Sequence, residues 1–478
     1  MNTTGKASAL AELMDVRARG PLADGEVEIT GEDPFFATPY RVGETVAAVL
    51  AGIGVAANDI WELRTGRRQK VHIDVPSAAA TLRTVDYTRE RNAQGVFEHV
   101  PIPKAMAHML TVTQPWPTRD GRWLLPHLNL PHLSQRVLGV LKCDSTPAAV
   151  SEAVSQRDSD ELEQAIADAR ACGGKIRTPE EWLAHPQGSY LAARPVIEIT
   201  RVAESAPEAF HAGERPLSGV RVLDLTRILA GPVSGRSLAE HGADVLMVTA
   251  EKLPQTPEHV RDTSHGKRSC FLDLTRPDEL AQVKELAASA DVFINGYRPG
   301  KLEEHGLGVD ALVARRPGLI YVTISCFGSG GPFAGRAGWE QVAQSVTGIC
   351  QTFGERSGAG RPKLVFAPMC DYTTGYMGAL GIMLALARRA REGGSYHVQV
   401  SLCQSAMFIQ RQGLLETFDT APEKLTEAEL APLYVEADTS YGRIRTLGPA
   451  LGMSETPPHW ATPTPLPGSD RPEWMPRR

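Results

Sequence analysis

The chain has 478 residues, of which 42% are hydrophobic and 22% are charged, a composition that suits two or three domains with a buried core. Its formal net charge of -6 argues against general binding to nucleic acid or to anionic membranes. The seven cysteines form no CxxC pair and are odd in number, which argues against a disulfide framework or a zinc site. We therefore expect a soluble protein of the reducing cytoplasm that holds no metal.

The N-terminus gives no sign of export or of membrane insertion. Residues 1–20 carry acidic residues among the apolar ones and lack the apolar core of a signal peptide. No segment approaches the roughly 20 apolar residues of a membrane span. The sequence therefore predicts no membrane partner, and residues 1–35 are interpreted as a polar leader.

A helix rich in small residues is predicted next, from Glu44 to Gly66, followed by a strand of alternating polarity. Two tryptophan-containing segments come after it, DGRWLLPHL and EEWLAHPQG. Residues 205–216 combine turn-forming and polar residues, which is typical of a linker.

Two strand-helix-strand units are predicted after the linker, because apolar runs alternate there with helical runs and glycine turns. The predicted strands are 220–225, 243–248, 291–294 and 319–324. Parallel sheets built in this way bind ligands at the carboxyl ends of their strands. We therefore expect a ligand site near Thr226, Asn295 and Cys326.

One acidic residue begins a second small-residue helix. Pro368 and Asp371 precede a long apolar-periodic run that stops at Gly393 and Gly394, and an alternating strand follows. Backbone amides and the helix dipole stabilise a negative charge at a helix N-terminus. This pattern predicts an ionised Asp371 that can act as a nucleophile.

These pieces together resemble the family III coenzyme A transferases, which include formyl-CoA transferase and carnitine CoA-transferase. The matching segments run in order from Pro216 to Ser405: VLDLTRILAGP with GADV, GKRSCFLDL, ADVFINGYRPG with GLG, PGLIYVTISCFGSGGP, and the Asp371 helix. The resemblance implies an α/β fold, with a Rossmann-like large domain built on a parallel sheet and a smaller α+β domain.

The resemblance also implies a reaction. Asp371 would attack an acyl-CoA thioester and become an aspartyl-CoA thioester, from which a small carboxylic acid takes the coenzyme A. Coenzyme A and acyl-CoA are then substrates, and no tightly bound cofactor is expected.

By the same resemblance, some residues would line the coenzyme A site: Leu229, Ala230, Lys267, Arg268, Gly296, Tyr297, Arg298, Trp339 and Glu340. Three glycines, Gly328, Gly330 and Gly331, are candidates for oxyanion contacts or for a plain turn. The segment LMVTAEKLP after GADV departs from the family pattern, which leaves part of the nucleotide contact open.

The order of the pieces indicates a rearranged or fused tandem. Glu44 stands to Gly66 as Asp371 stands to Gly393, and the two tryptophan segments resemble the small domain of the family. We divide the chain into a leader (1–35), a partial first copy with the small domain (36–204), a linker (205–216), the large domain (217–409), a connecting segment (410–435) and a return segment (436–478). The return segment is expected to close the large domain, Glu44 to be structural, and the protein to form a homodimer through its large domains.

Two alternative functions remain. The related racemases use a histidine followed by an aspartate in a GHD motif, where this chain has Gly338, Trp339 and Glu340. A non-catalytic paralogue is the other alternative, suggested by the rearranged domains, although Asp371 is retained.

Overall fold

The computed structural model describes residues 5–477 as three parts. The N-terminal part, residues 5–204, contains α1 Gly5–Arg17, β1 Val27–Thr30, α2 Val42–Thr65, β2 Val71–Asp74, α3 Val75–Ala80, α4 Thr84–Tyr87, β3 Arg89–Arg91, β4 Phe97–His99, α5 Lys104–Val112, β5 Trp116–Pro117, β6 Trp123–Pro126, α6 Pro131–Leu141, α7 Pro147–Ser155, α8 Ser159–Asp168, β7 Gly173–Lys175, α9 Pro179–Ala184, α10 Pro186–Ala192 and β8 Glu198–Ala203.

The large domain, residues 217–411, follows the linker and contains β9 Arg221–Leu225, α11 Ala230–Ala239, β10 Asp244–Thr249, α12 Pro257–Thr263, β11 Lys267–Phe271, α13 Pro277–Ala288, β12 Val292–Asn295, α14 Val309–Arg315, β13 Ile320–Ser325, α15 Glu340–Val346, α16 Ile349–Arg356, α17 Met369–Glu392, β14 Ser395–Ser401 and α18 Leu402–Arg411. The C-terminal segment, residues 412–477, contains α19 Glu427–Leu430, β15 Tyr434–Thr439, β16 Gly442–Leu447 and β17 Gly452–Met453. Single 3-10 turns lie at Thr81–Arg83, Glu303–His305 and Ala431–Leu433.

A seven-stranded sheet forms the large domain in the order β11-β10-β9-β12-β13-β14-β8. Neighbouring strands from β9 to β14 are parallel, and β8 joins the edge antiparallel to β14. All four residues of β12 are buried, as expected for a strand with helices on both faces. The four predicted strands agree with the observed ones to within one residue at each end, and the α/β fold is confirmed.

Two helices of 24 residues, α2 and α17, pack along each other in the core. Glycines bring α17 close to α11: a Cβ at Gly375 would lie 2.5 Å from the backbone oxygen of Ala230. By length and composition α2 could cross a membrane, with a mean hydropathy of 1.4, but 89% of that stretch is buried in the fold. The expectation that no segment approaches such a length was therefore wrong, and α2 is a core helix here.

The elements around α2 repeat those around α17. Glu44 precedes Asp371 by 327 positions (371 less 44). The same spacing (401 less 74) separates two helix caps: Asp74 caps α3 and Ser401 caps α18. The residues before the two helices have nearly equal backbone angles, φ -76° and ψ 59° at Arg41 against φ -76° and ψ 61° at Pro368. The residues before the two helices thus share a backbone conformation, while the internal repeat as a whole stays a prediction.

Each repeat receives its antiparallel edge strand from the other part of the chain. The large sheet ends in β8, which belongs to the N-terminal part, whereas β17 of the C-terminal segment pairs with β2. The return segment adds no strand to the large sheet. It contacts the large domain along its length, for example where Arg261 lies 4.4 Å from the Tyr441 ring and where the Asp470 carboxylate accepts the Ser269 N–H at 2.9 Å.

The segment interpreted as a leader is part of the fold. Ala9 and Leu13 of α1 are fully buried against α2, and Arg17 forms a buried ion pair with Asp59 at 2.8 Å. The Lys6 ammonium donates to the carbonyl of Gly31 at 2.7 Å, just beyond β1. These contacts make α1 part of the fold, packed on the core helix α2.

The connecting segment forms little helical structure. It contains the single turn α19, closed by a capping box between Thr426 and Glu429, and the 3-10 turn Ala431–Leu433. The Pro422 carbonyl accepts the N–H of Ala37 at 2.9 Å. A segment rich in charge and interrupted by prolines has too short an uninterrupted run for a longer helix.

Candidate active site

A cavity of about 390 Å³ lies at the carboxyl ends of β9, β12 and β13. Its wall is formed by residues 226–231, 296–299, 324–326 and 334–339, and by Leu130, His132 and Leu133 of the N-terminal part. Asp371 reaches it from the first turn of α17. Of the three residues expected near the site, Thr226 and Cys326 line the cavity, whereas Asn295 is buried and donates to Tyr321 Oη at 3.0 Å.

Asp371 lies directly beside a second carboxylate. Glu340, at the start of α15, is buried and accepts the N–H groups of Asp371 at 2.7 Å and of Cys370 at 3.2 Å. Gln344 Nε2 donates to the same carboxylate at 2.8 Å. Glu340 therefore takes up the free amides at the N-terminus of α17, and its three donors favour its charged form.

This arrangement changes the electrostatic argument for Asp371. Burial and the negative charge of Glu340 raise the pKa of Asp371 well above its usual range. Burial also raises the pKa of Glu340, opposed by the hydrogen bonds from Gln344 and from the two backbone amides. The helix N-terminus does not hold Asp371 ionised, as the sequence suggested, because its amides bind Glu340 instead.

Burial also decides the state of the cavity thiol. The pKa of Cys326 is raised well above its usual range by burial, with Cys403 and the two carboxylates adding to the effect. Cys370 is buried and shifted in the same direction. A neutral thiol is a poor nucleophile, so neither Cys326 nor Cys370 fits nucleophilic attack.

Two cavity arginines have no acidic partner within the described residues. Burial lowers the pKa of Arg298, whose charged neighbours are Arg136 and Arg170, and burial likewise lowers the pKa of Arg227. The guanidinium groups of Arg136 and Arg298 both donate to the carbonyl of Arg170, at 3.0 and 3.3 Å. His132 lies among these cations, since burial, Arg136, Arg298 and Arg227 all lower its pKa. Such a cluster binds an anion.

A further cavity arginine is already engaged. Arg336 stacks over the Phe333 ring at 3.6 Å and donates to Gln164 Oε1 at 2.8 Å. Glu163 lies 3.6 Å away. The Arg336 side chain thus links α8 to the loop that contains Gly328, Gly330 and Gly331 (the glycine loop). It is therefore less available to bind a ligand.

The predicted coenzyme A residues divide into three groups. The cavity contains Leu229, Ala230, Gly296, Tyr297, Arg298 and Trp339. Glu340 lies beneath the wall, next to Asp371. Lys267 and Arg268 do not reach the cavity.

Lys267 is a core residue. Its ammonium forms an ion pair with Asp224 at 2.8 Å, in which both side chains are fully buried, and donates to the carbonyl of Pro232 at 2.7 Å. Arg268 pairs with Asp244 on the neighbouring strand at 2.8 Å. Neither side chain lines the cavity and each is paired with a carboxylate, so the structure gives no support to a coenzyme A contact by either residue.

The glycine loop turns away from the cavity as well. A Cβ on Gly330 would lie 2.5 Å from Tyr190 Oη, one on Gly331 2.5 Å from Gln187 Oε1, and one on Gly328 2.9 Å from Leu191. Gln187 donates to the carbonyls of Phe327 and Gly330, at 2.7 and 2.9 Å. These glycines allow the close approach of α10, which is a packing reason for glycine at the three positions.

The residue equivalent to Asp371 in the first repeat is Glu44, whose side chain is buried and does not line the cavity. Glu44 is 2% exposed and is paired with Arg41 at 3.2 Å. Asp33 accepts the N–H of Glu44 at 2.9 Å, as Glu340 accepts that of Asp371. Burial and Glu44 raise the pKa of Asp33 to about 6. The carboxylate pair is thus repeated, but with a cation that Asp371 lacks among the described residues.

The position of the racemase histidine holds Trp339. His127 stacks on its indole with ring centres 5.2 Å apart, and its Nε2 lies 3.0 Å from Gln341 Oε1. Burial lowers the pKa of His127 to about 4, so the ring is neutral. This neutral, packed histidine does not supply the acid and base pair that racemisation requires.

Sequence reasoning missed the cations supplied by the N-terminal part: His132, Arg136 and Arg170. One signal was present in the sequence, because Arg136 has no acidic residue three or four positions away on α6 to pair with. Arg227 was also missed, although it directly follows Thr226 at the end of β9.

Three comparisons bear on the chain. A family model described as CoA-transferase family III matches residues 217–434. An acyl-CoA transferase of Gibberella moniliformis is 31% identical over 463 residues, covering 87% of this chain and 81% of the relative. An acetyl-coenzyme A transferase, nodX, of Hypoxylon pulicicidum is 31% identical over 407 residues, covering 77% of this chain and 69% of the relative. A crystal structure of a CAIB/BAIF family protein from Brucella suis is 31% identical, covers 48% of this chain and 65% of that chain, and has a TM-score of 0.38.

Proposed function

Because the chain belongs to CoA-transferase family III and is a CoA-transferase, we propose that it moves coenzyme A between an acyl-CoA thioester and a small carboxylic acid through a covalent intermediate on Asp371. One observation carries the proposal. Asp371 faces the cavity beside a second carboxylate, while the cations without acidic partners, Arg227 and Arg298, lie elsewhere in the same cavity. A substrate with a neutral reacting carbonyl and a distant anionic part fits this distribution.

The proposed reaction begins with the Asp371 carboxylate. One oxygen attacks the thioester carbonyl, the carbon–sulfur bond breaks, and coenzyme A leaves as a thiolate from a mixed anhydride. The thiolate then attacks the aspartyl carbonyl, which releases the first acid as its carboxylate and leaves an aspartyl-CoA thioester. The second acid repeats these steps in reverse and leaves as a new acyl-CoA, with Asp371 restored.

Glu340 supports the first step through its charge. Repulsion between Glu340 and ionised Asp371 raises the energy of the reactant carboxylate. When Asp371 is acylated or carries coenzyme A, its charge is gone and so is the repulsion. An interaction that disfavours the reactant but not the intermediate lowers the barrier to acylation.

The arginine cluster suits the phosphate groups of coenzyme A. Arg227, Arg298 and His132 come from both parts of the chain and line the cavity, with the charge of Arg136 close to His132. Guanidinium groups bind phosphate oxygens with charge-assisted hydrogen bonds, which are about twice as strong as neutral ones.

We also propose a homodimer paired through the large domains, in which each chain lines its own cavity with its own residues.

The covalent intermediate is tested by trapping. The native protein is incubated with acetyl-CoA, butyryl-CoA or succinyl-CoA, treated with hydroxylamine, digested and analysed by mass spectrometry. We expect a hydroxamate on Asp371 with at least one of these thioesters. A hydroxamate at another residue, or exchange of coenzyme A that proceeds without any trapped adduct, would contradict the proposal.

The phosphate contacts are tested with Arg227→Ala and Arg298→Ala. Each loses a charge-assisted hydrogen bond of about 1.5–3 kcal/mol, so we expect the KM for acyl-CoA to rise about tenfold or more. The matched control is the corresponding acyl-pantetheine, which lacks the nucleotide phosphates. Its KM should be equal for native protein and variants, and an equal loss on both substrates would exclude a phosphate contact.

A further inference from the structure

The first turn of α17, which carries Asp371, has two side-chain anchors of different origin. The N-cap residue, Pro368, provides no capping side chain. One anchor is Glu340 of the large domain, which accepts the N–H groups of Cys370 and Asp371. The other is the hydroxyl of Tyr372, which contacts the N-terminal part at Thr84 and Val85. The N-terminal part of the chain therefore holds the Tyr372 hydroxyl, whereas Glu340 of the large domain holds the backbone amide of the neighbouring Asp371.

The hydrogen bonds around Tyr372 have one consistent direction. The N–H of Val85 donates to Tyr372 Oη at 3.3 Å, and Thr84 Oγ1 donates to Asp262 Oδ2 at 2.6 Å. Since the Thr84 proton is used by Asp262, Tyr372 Oη must donate to Thr84 Oγ1, at 2.8 Å. Burial and Asp262 raise the pKa of Tyr372 well above its usual range, so its hydroxyl keeps the proton that it donates.

The far end of this chain of hydroxyls is fixed by a buried ion pair. Arg236 of α11 contacts both carboxylate oxygens of Asp262 at 2.9 Å. Tyr372 and Asp262 are completely buried, and Thr84 and Arg236 are 2% exposed. The hydroxyls of Thr84 and Tyr372 and the Asp262 carboxylate are all paired, so breaking one of these bonds would leave a buried polar group without a partner.

We propose that Thr84 and Tyr372 are positioning residues for the transfer of coenzyme A, through which the N-terminal part fixes the placement of Asp371. The proposal rests on the proposed role of Asp371 as nucleophile. It assigns the N-terminal part a contribution to the rate, in addition to the cavity wall and the cations that it supplies.

The expected size of the effect follows from the demands of covalent attack. The attacking oxygen must lie about 3–3.5 Å from the thioester carbon, and a displacement of about 1 Å costs about a hundredfold in rate. Loss of one of two anchors should displace the first turn by less than this. We therefore expect a loss of about tenfold in kcat, with little change in KM.

The experiment uses two near-isosteric variants and a matched control. Tyr372→Phe removes the donor and Thr84→Val removes its acceptor, and the double variant removes both. The control is Tyr376→Phe, one turn further along α17: Tyr376 is also buried, and it contacts Arg236 at 3.3 Å. Each protein is assayed for kcat, KM and Tm with the acyl-CoA that the native protein uses.

We expect Tyr372→Phe and Thr84→Val each to lower kcat about tenfold with KM changed less than twofold, and the double variant to resemble either single variant. Tyr376→Phe should keep kcat within about twofold while its Tm falls as much as that of Tyr372→Phe. Additive losses, or an equal kcat loss in the control, would overturn the positioning role. A native protein without transferase activity would instead refute the proposed function.

Discussion

Replacing Asp371 with asparagine is expected to lower the rate of coenzyme A transfer by about a thousandfold or more, because an amide cannot attack a thioester as a carboxylate does. The substitution keeps the volume of the side chain and leaves Glu340 bound to the same backbone amides. The measurement is the initial rate of transfer to an acceptor acid, together with the loss of the trapped hydroxamate.

Stability provides a second readout for the same variant. The pKa of Asp371 is raised in the fold, so the native state holds its proton to a higher pH than the unfolded chain does. The native protein therefore loses stability as the pH rises from the ordinary range of a carboxyl group to the raised value in the fold. Asp371→Asn should lack this loss, and unfolding measured at pH 4 and at pH 8 should show the difference.

The matched control is Glu44→Gln, at the equivalent position of the first repeat. Glu44 is buried, is paired with Arg41 and lies outside the cavity wall, so we expect its variant to keep transfer within about twofold of the native rate. A loss as large as that of Asp371→Asn would mean that the first repeat also carries a working site.

Replacing Lys267 with methionine is expected to cost about 3–5 kcal/mol of unfolding free energy, because it leaves the Asp224 carboxylate buried without its partner. The measurement is urea unfolding at constant pH. The double variant Asp224→Asn, Lys267→Met removes both charges and should regain at least half of the loss. Its recovery separates the ion pair from the packing of the lysine side chain.

The same variants test the coenzyme A contact that the sequence predicted for this lysine. If Lys267→Met kept native stability but raised the KM for acyl-CoA strongly, the lysine would be a substrate contact and its place in the core would be wrong. We expect the reverse: the double variant should bind acyl-CoA with a KM close to that of the native protein.

The sequence could predict those features whose pattern lies within one short stretch of the chain. The four strands β9, β10, β12 and β13 are mostly buried apolar runs, so their positions were predicted to within one residue. Asp371 was found from the helix that it begins. The position of Lys267 in β11 also followed from the motif, but the direction of its side chain depends on Asp224, which lies 43 positions earlier.

The signals that the sequence lacks are those that join distant segments. Glu340 and Asp371 are 31 positions apart, and nothing in the local pattern shows that one binds the amide of the other. The sequence therefore predicts that the helix dipole holds Asp371 ionised. In the structure, Glu340 accepts the free amides of that helix end. The leader was misread for the same reason, because α1 is defined by its contact with α2 rather than by its own polarity.

The exchange of edge strands has a consequence during synthesis. Strand β2 is made early, yet its antiparallel neighbour β17 places Met453 opposite Val71. At about 5–20 residues per second, a ribosome needs roughly 20–80 seconds to make the chain between them. During that time one side of β2 has no partner strand, and an unpaired strand edge invites association with other chains. The nascent protein completes its first repeat only after residue 453 has left the ribosome.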